Sequence, residues 1–213
     1  MSNKKIFNDG EADAFFDRYK KGQDLKPLKF LRDWLVPFKK NINKMLEIGC
    51  GNGFSLDYLS NEIKAKAFGI EPSKNAVNFV KKKFPSIKIN NGFSDKLKLD
   101  DSYFDYVHLG FFLYLVDRKY YFRSISEADR TLKFGGFLSI IDFDTPLQYS
   151  QRYSHKDGVF SHKMDNSRIF ISSGFYTLVN KQSISLSSLN FNTNIDERVS
   201  IQLLYKEPKI FKV

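Results

Sequence analysis

The stretch MLEIGCGNGF, residues 45–54, decides the fold of this chain. Three apolar residues and one acid lead directly into glycines at alternate positions, 49, 51 and 53. A strand that runs into such a loop and then into a helix brings backbone N–H groups to one point, and glycine lets a ligand approach them closely. The helix adds the positive end of its dipole. The stretch therefore predicts a strand, loop and helix that hold a small ligand.

Helix and strand signals alternate from this stretch to residue 143. Such alternation is typical of βαβ units in a parallel sheet. After residue 143 the chain is polar and irregular up to residue 175, and two alternating segments joined by a loop over 186–198 then predict an antiparallel pair of strands. We predict strands at 44–48, 67–70, 87–89, 106–109, 137–141, 175–185 and 199–206, and helices within 11–40 and at 54–63, 73–84 and 120–132.

These elements predict an α/β fold with a doubly wound, mostly parallel, seven-stranded sheet, helices on both faces and an antiparallel last strand. The 213 residues are enough for one sizeable core, so we expect a single domain over 1–213. Within it we distinguish an N-terminal helical segment (1–40), a ligand-binding core (41–143) and an acceptor-side region (144–213) that ends in the strand pair.

Composition limits the setting and the partners. No run approaches ~18 apolar residues and no secretory leader is visible, so we expect neither a membrane span nor secretion. A single cysteine, Cys50, cannot form an internal disulfide, which favours a cytoplasmic location. The formal net charge of +10 is compatible with nucleic acid. However, the lysines are scattered and no arginine-rich run is present.

The glycine spacing excludes two common nucleotide sites. A dinucleotide loop requires G-x-G-x-x-G/A, but position 54, three residues after Gly51, is Phe54. A phosphate-binding loop requires Gly-Lys-Ser/Thr, which is absent. The acid that precedes the first glycine, Glu47, would repel a phosphate. It suits a ligand with an ammonium group instead.

Four segments in order resemble the class I methyltransferases that use S-adenosyl-L-methionine (SAM). They are EIGCGNG at 47–53, FGIEPS at 68–73, NGFSDKL at 91–97 with DSYFDYV at 101–107, and EADRTLKFGG at 127–136. The resemblance covers residues 44–143. It departs from the family at Phe134, where a proline is usual, at Ser94, where an acid is frequent, and at Leu115, where many relatives carry histidine.

This resemblance implies SAM as cofactor and an N-terminal helical lid over it. Glu47 would meet the ammonium group of SAM, Glu71 the ribose hydroxyls, and the segment around Ser94 the adenine. Cys50 is expected to be a small loop residue and not a nucleophile. The implied cofactor-binding residues are Tyr19, Glu47, Gly49, Cys50, Gly51, Gly53, Glu71, Pro72, Phe93, Ser94, Leu109 and Gly110.

The sequence narrows the methyl acceptor only in part. Base amino-group methylation is associated with Asn/Asp-Pro-Pro-Tyr/Phe after the fourth strand, where this chain has HLGF at 108–111. Carbon-5 pyrimidine methylation needs a cysteine nucleophile outside the glycine loop, and the single cysteine of this chain, Cys50, lies within that loop. A small-molecule hydroxyl or amine remains, and proton removal makes His155, His162 and Asp142 the candidate catalytic residues. No metal site is predicted, although Asp142, Asp144 and a histidine form an alternative set for Mg²⁺.

The region after residue 143 is similar to methyltransferases found with bacterial surface-polysaccharide genes. This similarity implies a sugar or nucleotide-sugar acceptor, and basic residues such as Arg152 could hold its phosphate groups. Two alternatives stay open: an RNA methyltransferase, suggested by the positive charge, and a SAM-binding protein without transfer activity. The sequence does not indicate the oligomeric state.

Overall fold

A computed structural model describes residues 2–22, 24–185 and 187–208 of the chain. The helices are α1 (Asn3–Ile6), α2 (Ala12–Tyr19), α3 (Leu28–Leu35), α4 (Phe54–Ile63), α5 (Lys74–Lys83), α6 (Arg118–Thr131) and α7 (Ser167–Ser172). A π-helical turn (Phe7–Glu11) joins the first two, and 3₁₀ turns occupy Val36–Asn41 and Leu113–Leu115. The strands are β1 (Lys44–Ile48), β2 (Lys66–Glu71), β3 (Lys88–Asn91), β4 (Phe104–Gly110), β5 (Leu132–Phe143), β6 (Tyr149–Arg152), β7 (Phe160–Lys163), β8 (Tyr176–Ser185) and β9 (Arg198–Lys206).

Seven of the described strands form one sheet in the order β3-β2-β1-β4-β5-β9-β8. The first five are parallel, and β9 runs antiparallel to both β5 and β8. The predicted fold class, with its antiparallel last strand, is confirmed. The chain reverses its direction of growth between β1 and β4, and ligands of such sheets bind beyond the carboxyl ends of the strands at this point.

Local sequence explains the elements next to this edge. Six of the seven residues of β4 are buried, as expected for a central strand that is covered on both faces. Ser73 caps α5, because its hydroxyl accepts from the Ala76 backbone N–H at 2.9 Å. Gly53 takes a left-handed φ of 77° at the start of α4, which a side chain would disfavour.

The N-terminal segment, residues 2–22, lies over this edge of the sheet. The Asp117 carboxylate accepts from the backbone N–H groups of Asn3 and Lys4 at 2.9 and 3.0 Å. The Asp13 carboxylate accepts from the Ser73 hydroxyl at 2.6 Å and from the Asn75 N–H at 3.1 Å. Both contacts fall beside helix starts, so the predicted helical lid is held at the carboxyl ends of the parallel strands.

Three details of the sequence-based prediction were wrong. Helix begins at Asn3, well before residue 11, because the first turn is stabilised by distant acceptors on Asp117. Region 144–175 was expected to be irregular, but it contains α7 and a hairpin in which β6 and β7 pair in register from Tyr149↔Lys163. Gly135, expected in a turn before β5, lies within the strand at a φ of 75°. Leu186, at the start of the predicted loop, lies outside the described residues.

No helix within the described ranges combines the length and the apolar character needed to cross a lipid bilayer.

The glycine loop packs tightly against β2, which predicts a coupled pair of substitutions. A Cβ added at Gly69 would lie 2.7 Å from the Cys50 Sγ, so we expect Gly69→Ala to lower the free energy of unfolding by about 1–3 kcal/mol. Cys50→Ala removes the nearest atom, and Gly69→Ala should therefore cost less in that background. Urea unfolding of both single variants and the double variant measures the coupling. Losses that simply add would contradict the contact.

Candidate active site

The glycine loop forms an open floor at the end of β1. Gly49, Gly51 and Gly53 have left-handed φ values of 74°, 50° and 77°. A Cβ added at Gly51 would meet no atom within 4 Å, so its outer side is open, whereas one at Gly49 would lie 3.0 Å from the Phe112 side chain. The loop is held from below, because the Gly49 N–H donates to the Ile70 carbonyl at 2.8 Å. Backbone therefore forms the surface of the floor.

The Glu71 carboxylate borders this floor from the end of β2. Its Oε2 accepts from the Gly51 N–H at 2.8 Å and its Oε1 from the Ser73 N–H at 2.9 Å. Burial raises the pKa of Glu71 to about 7, against the lowering effect of these two hydrogen bonds. The carboxylate is thus oriented by backbone groups but has no cationic partner within the described residues.

Glu47 is the second buried acid at this edge. Its side chain is buried, and its Oε2 has no hydrogen-bond partner among the residues that the structure describes. Burial, followed by repulsion from Glu71, raises the pKa of Glu47 well above its ordinary value. An unpaired buried carboxyl is costly, and a cation placed beside it would relieve that cost.

These groups border a pocket under the N-terminal segment. Phe93 and Ser94, both named from the sequence, line this pocket. The Ser94 hydroxyl lies 2.8 Å from that of Ser124. Glu47 does not line the pocket itself but lies next to Gly110, because its Oε1 would be 3.6 Å from a Cβ at that position. The predicted cofactor residues that line the pocket directly are Gly49, Gly51, Glu71, Pro72, Phe93, Ser94 and Gly110.

Four other predicted cofactor residues lie outside the pocket lining for identifiable reasons. Leu109 points into the core, since consecutive residues of a strand face opposite sides. The side chain of Cys50 packs toward Gly69, and burial raises its thiol pKa. Gly53 makes room for Val80 on α5, whose Cγ2 would lie 2.8 Å from an added Cβ. Tyr19 lies beyond Phe15, with ring centroids 4.8 Å apart.

Sequence reasoning missed Lys4 and Tyr120, which line the pocket beside Asp95. Lys4 pairs with the Asp95 carboxylate at 2.6 Å, and its ammonium lies 5.1 Å from the Phe93 ring centroid and 4.6 Å from that of Tyr120. Asp95 and Lys4 are 91 residues apart in the chain. No local pattern reports such a contact.

A second, larger cavity of about 670 Å³ adjoins this pocket. Phe15 and Phe111 line both, so the two spaces meet at these rings. The second cavity has aromatic walls, including Tyr19, Tyr114 and Tyr153. Its size is that of a small-molecule site. Its polar lining includes Gln151, Arg152, Ser154, His155, Ser161, Lys163, Ser185 and Ser187.

The three candidate catalytic residues are not brought together. His155 lines the second cavity, with its ring 5.1 Å from that of Tyr153. His162 lies in a separate small cavity and is 2.7 Å from the Ser150 hydroxyl through Nδ1. Asp142 is buried outside both spaces, where it accepts from the Phe143 and Tyr114 N–H groups at 2.8 and 3.2 Å. Burial raises the pKa of Asp142 to about 7.

The alternative magnesium set is not assembled either. Asp144 is engaged by Lys181 at 2.8 Å and by the Ser183 hydroxyl at 2.6 Å. Within the described residues, no group of three or more His, Cys, Asp or Glu side chains could hold a metal ion.

Comparison with known proteins assigns the core. Residues 46–140 match the family model described as Methyltransferase domain. Over these residues the chain is similar to methyltransferase domains. The prediction of a methyltransferase enzyme with SAM as its cofactor is confirmed by this match, and the fold agrees with it. None of the curated proteins matches the sequence.

Solved methyltransferase structures share the fold at low sequence identity. A Burkholderia thailandensis 1,6-didemethyltoxoflavin-N1-methyltransferase, with bound 1,6-didemethyltoxoflavin and S-adenosylhomocysteine, is similar with a TM-score of 0.69 and 11% identity, covering 95% of this chain and 89% of its own. A putative sarcosine dimethylglycine methyltransferase from Galdieria sulphuraria has a TM-score of 0.65 and 12% identity over 94% and 100% of the chains. A Methanosarcina mazei SAM-dependent methyltransferase has a TM-score of 0.63 and 19% identity, and the alignment covers 79% of this chain and 94% of that protein.

The high pKa of Glu71 predicts how the stability of the folded protein depends on pH. The folded carboxyl keeps its proton up to a pKa of about 7, but the unfolded chain releases it near the ordinary value of 4.5. The contribution of Glu71 to stability is therefore fully present below about pH 4.5 and is lost as the pH rises through about 7. We expect a loss of up to about 3 kcal/mol.

Glu71→Gln tests this effect. It removes the titration of Glu71 and the repulsion that Glu71 exerts on Glu47, and both make the wild type lose more stability than the variant as the pH rises. Urea unfolding at several values between about pH 4.5 and pH 8 should give a stability difference, wild type minus variant, that falls with rising pH. A difference that is flat or rises over this range would contradict the assignment.

Proposed function

We propose that this chain transfers a methyl group from SAM to a hydroxyl or amine of a small molecule that is bound in the second cavity. The observation that carries the proposal is the pair of buried carboxyls, Glu47 and Glu71, beside an open glycine floor and without a cationic partner in the described residues. SAM has two positive groups and no phosphate. SAM therefore supplies the positive charge that the two buried carboxyls lack.

Each end of the pocket supports one part of this ligand. Glu71 is oriented by two backbone N–H groups and retains lone pairs that can accept from ribose hydroxyls. The unpaired Oε2 of Glu47 suits the ammonium group. At the opposite end, the Phe93 ring and the Ser94 hydroxyl suit the adenine. Tyr19, Cys50, Gly53 and Leu109 are proposed to support the site without lining it.

The chain's own contribution to transfer is positioning and proton removal. When bound, SAM supplies a methyl group that its sulfonium already activates. Phe15 and Phe111 line both spaces and can exclude water from their junction. A hydroxyl acceptor must lose a proton as it is methylated, and an amine loses one from its ammonium product. We propose His155 as the group that takes this proton, because it borders the acceptor cavity.

For the acceptor we propose a sugar or nucleotide-sugar, as in surface-polysaccharide synthesis. Aromatic rings and several serine hydroxyls in the second cavity support a polyhydroxylated ring. Arg152, exposed at the cavity and without an ion-pair partner in the described residues, supports a phosphate group. The small-molecule acceptors named for the Burkholderia and Galdieria proteins support the broader class. The lone buried cysteine, Cys50, supports a reducing, cytoplasmic setting.

Binding of SAM tests the cofactor site directly. Glu71→Ala should weaken SAM binding by about 1–3 kcal/mol, because the ribose hydroxyls would lose a hydrogen-bond acceptor. Isothermal titration calorimetry measures the change. Glu62→Ala is the matched control, since Glu62 is an exposed acid on α4 outside the pocket. Equal affinities of the wild type and Glu71→Ala would refute the role of Glu71.

The acceptor class is tested with methyl-labelled SAM. We expect label in a pool of nucleotide sugars and small metabolites, and none in total RNA incubated separately. Label in RNA that ribonuclease removes would instead favour the RNA methyltransferase suggested by the +10 charge. Binding of SAM with no labelled product in either pool would favour a binding protein without transfer.

A further inference from the structure

A buried chain of polar side chains crosses the middle of the sheet beneath the cofactor pocket. The Tyr106 hydroxyl lies 2.6 Å from the Ser139 hydroxyl, which lies 2.7 Å from the Nδ1 of His108. His108 is 1% exposed and Ser139 is 0% exposed, so water does not compete for these bonds. Such a chain is stable only if its hydrogens are shared consistently.

Counting hydrogens selects one arrangement. Tyr106 and Ser139 each have one hydroxyl hydrogen, and neutral imidazole has one N–H. If His108 donated through Nδ1, the hydrogen of Ser139 or of Tyr106 would be left without an acceptor in the described residues. If Tyr106 donates to Ser139 and Ser139 donates to Nδ1, both hydroxyl hydrogens are used. The imidazole N–H then lies on Nε2. Burial lowers the pKa of His108 to about 3, which keeps the ring neutral.

The Nε2 atom of His108 lies directly under the pocket. A Cβ added at Gly110, which lines the pocket, would lie 2.8 Å from Nε2 and 3.6 Å from the Glu47 Oε1. Glu47 and His108 are opposite each other in the β1–β4 pairing. The Glu47 Oε2 has no hydrogen bond within the described residues, and the hydrogen bond that His108 makes runs through Nδ1. A ring N–H and a carboxyl group therefore face one small region.

We propose that the Nε2–H of His108 positions Glu47, donating a hydrogen bond to its carboxylate when the ammonium group of the cofactor is bound there. His108 is a positioning residue in this account, since it acts through Glu47. Tyr106 and Ser139 set the ring tautomer that makes the donor available. The inference rests on the proposed function, and it concerns only the amino acid end of the cofactor.

Two ligands separate this role from a general effect on the fold. S-Adenosylhomocysteine carries the amino acid group, whereas 5′-methylthioadenosine lacks it. His108→Leu has no hydrogen-bond donor at this position. Its affinity for S-adenosylhomocysteine, measured by calorimetry, should fall roughly tenfold or more, and its affinity for methylthioadenosine should change by less than about twofold. Comparable losses for both ligands, or no loss for either, would overturn the proposal.

Two further variants keep the test decisive. His108→Gln retains a side-chain N–H and should recover most of the lost affinity, which a packing role alone would not produce. Ser139→Ala removes the group that sets the tautomer. It should lower the affinity for S-adenosylhomocysteine more than the affinity for methylthioadenosine. If His108→Leu does not fold, as judged by its thermal unfolding, Ser139→Ala decides by the same two-ligand comparison, and unchanged binding overturns the proposal.

The wild type is titrated first. If it binds neither ligand, the proposed function itself fails. If it binds both and the variants lose no selectivity, only the role of His108 fails.

Discussion

Two acidic side chains are buried at the carboxyl edge of a parallel sheet, and the site is organised around the cost of placing them there. Glu71 is accommodated by two N–H groups, that of Gly51 in the left-handed glycine loop and that of Ser73, two residues further along the chain. Glu47 has no such support, and burial favours its protonated form. A cationic ligand reverses that preference. Ligand charge and protein charge therefore complement each other at the floor of the pocket.

The same kind of group holds the cover in place. Asp117 accepts from the first N–H groups of α1, and Asp13 bonds the start of α5. Acids at helix starts are favoured by the free N–H groups and by the helix dipole. The N-terminal segment is thereby fixed across the ends of the strands. It covers part of the pocket and, through Phe15, forms part of the boundary with the second cavity.

Strand parity and long-range packing explain which of the residues named from the sequence line the pocket and which do not. Gly110 was expected beside the cofactor and lines the pocket, but its neighbour Leu109 points to the other face of the sheet. The resemblance to the family pointed to both residues, but it does not say which face of the sheet each one occupies. Lys4 was missed because its partners, Asp95 and Tyr120, are distant in sequence. The hairpin of β6 and β7 was missed because a strand such as Tyr149–Arg152 has no apolar alternation.

By itself, the sequence determined the seven strands of the main sheet with α4 to α6 between them, the glycine floor and the two acids beside it, because these depend on local periodicity and on residues that are close in the chain. Only the tertiary structure decided which residues face the pocket, how the N-terminal segment covers it, and that His155 and His162 lie in different cavities. It also brought Tyr106, His108 and Ser139 into one buried chain across two strands. Contacts of this kind depend on strand register and packing, and neither is written in the spacing of residues along the chain.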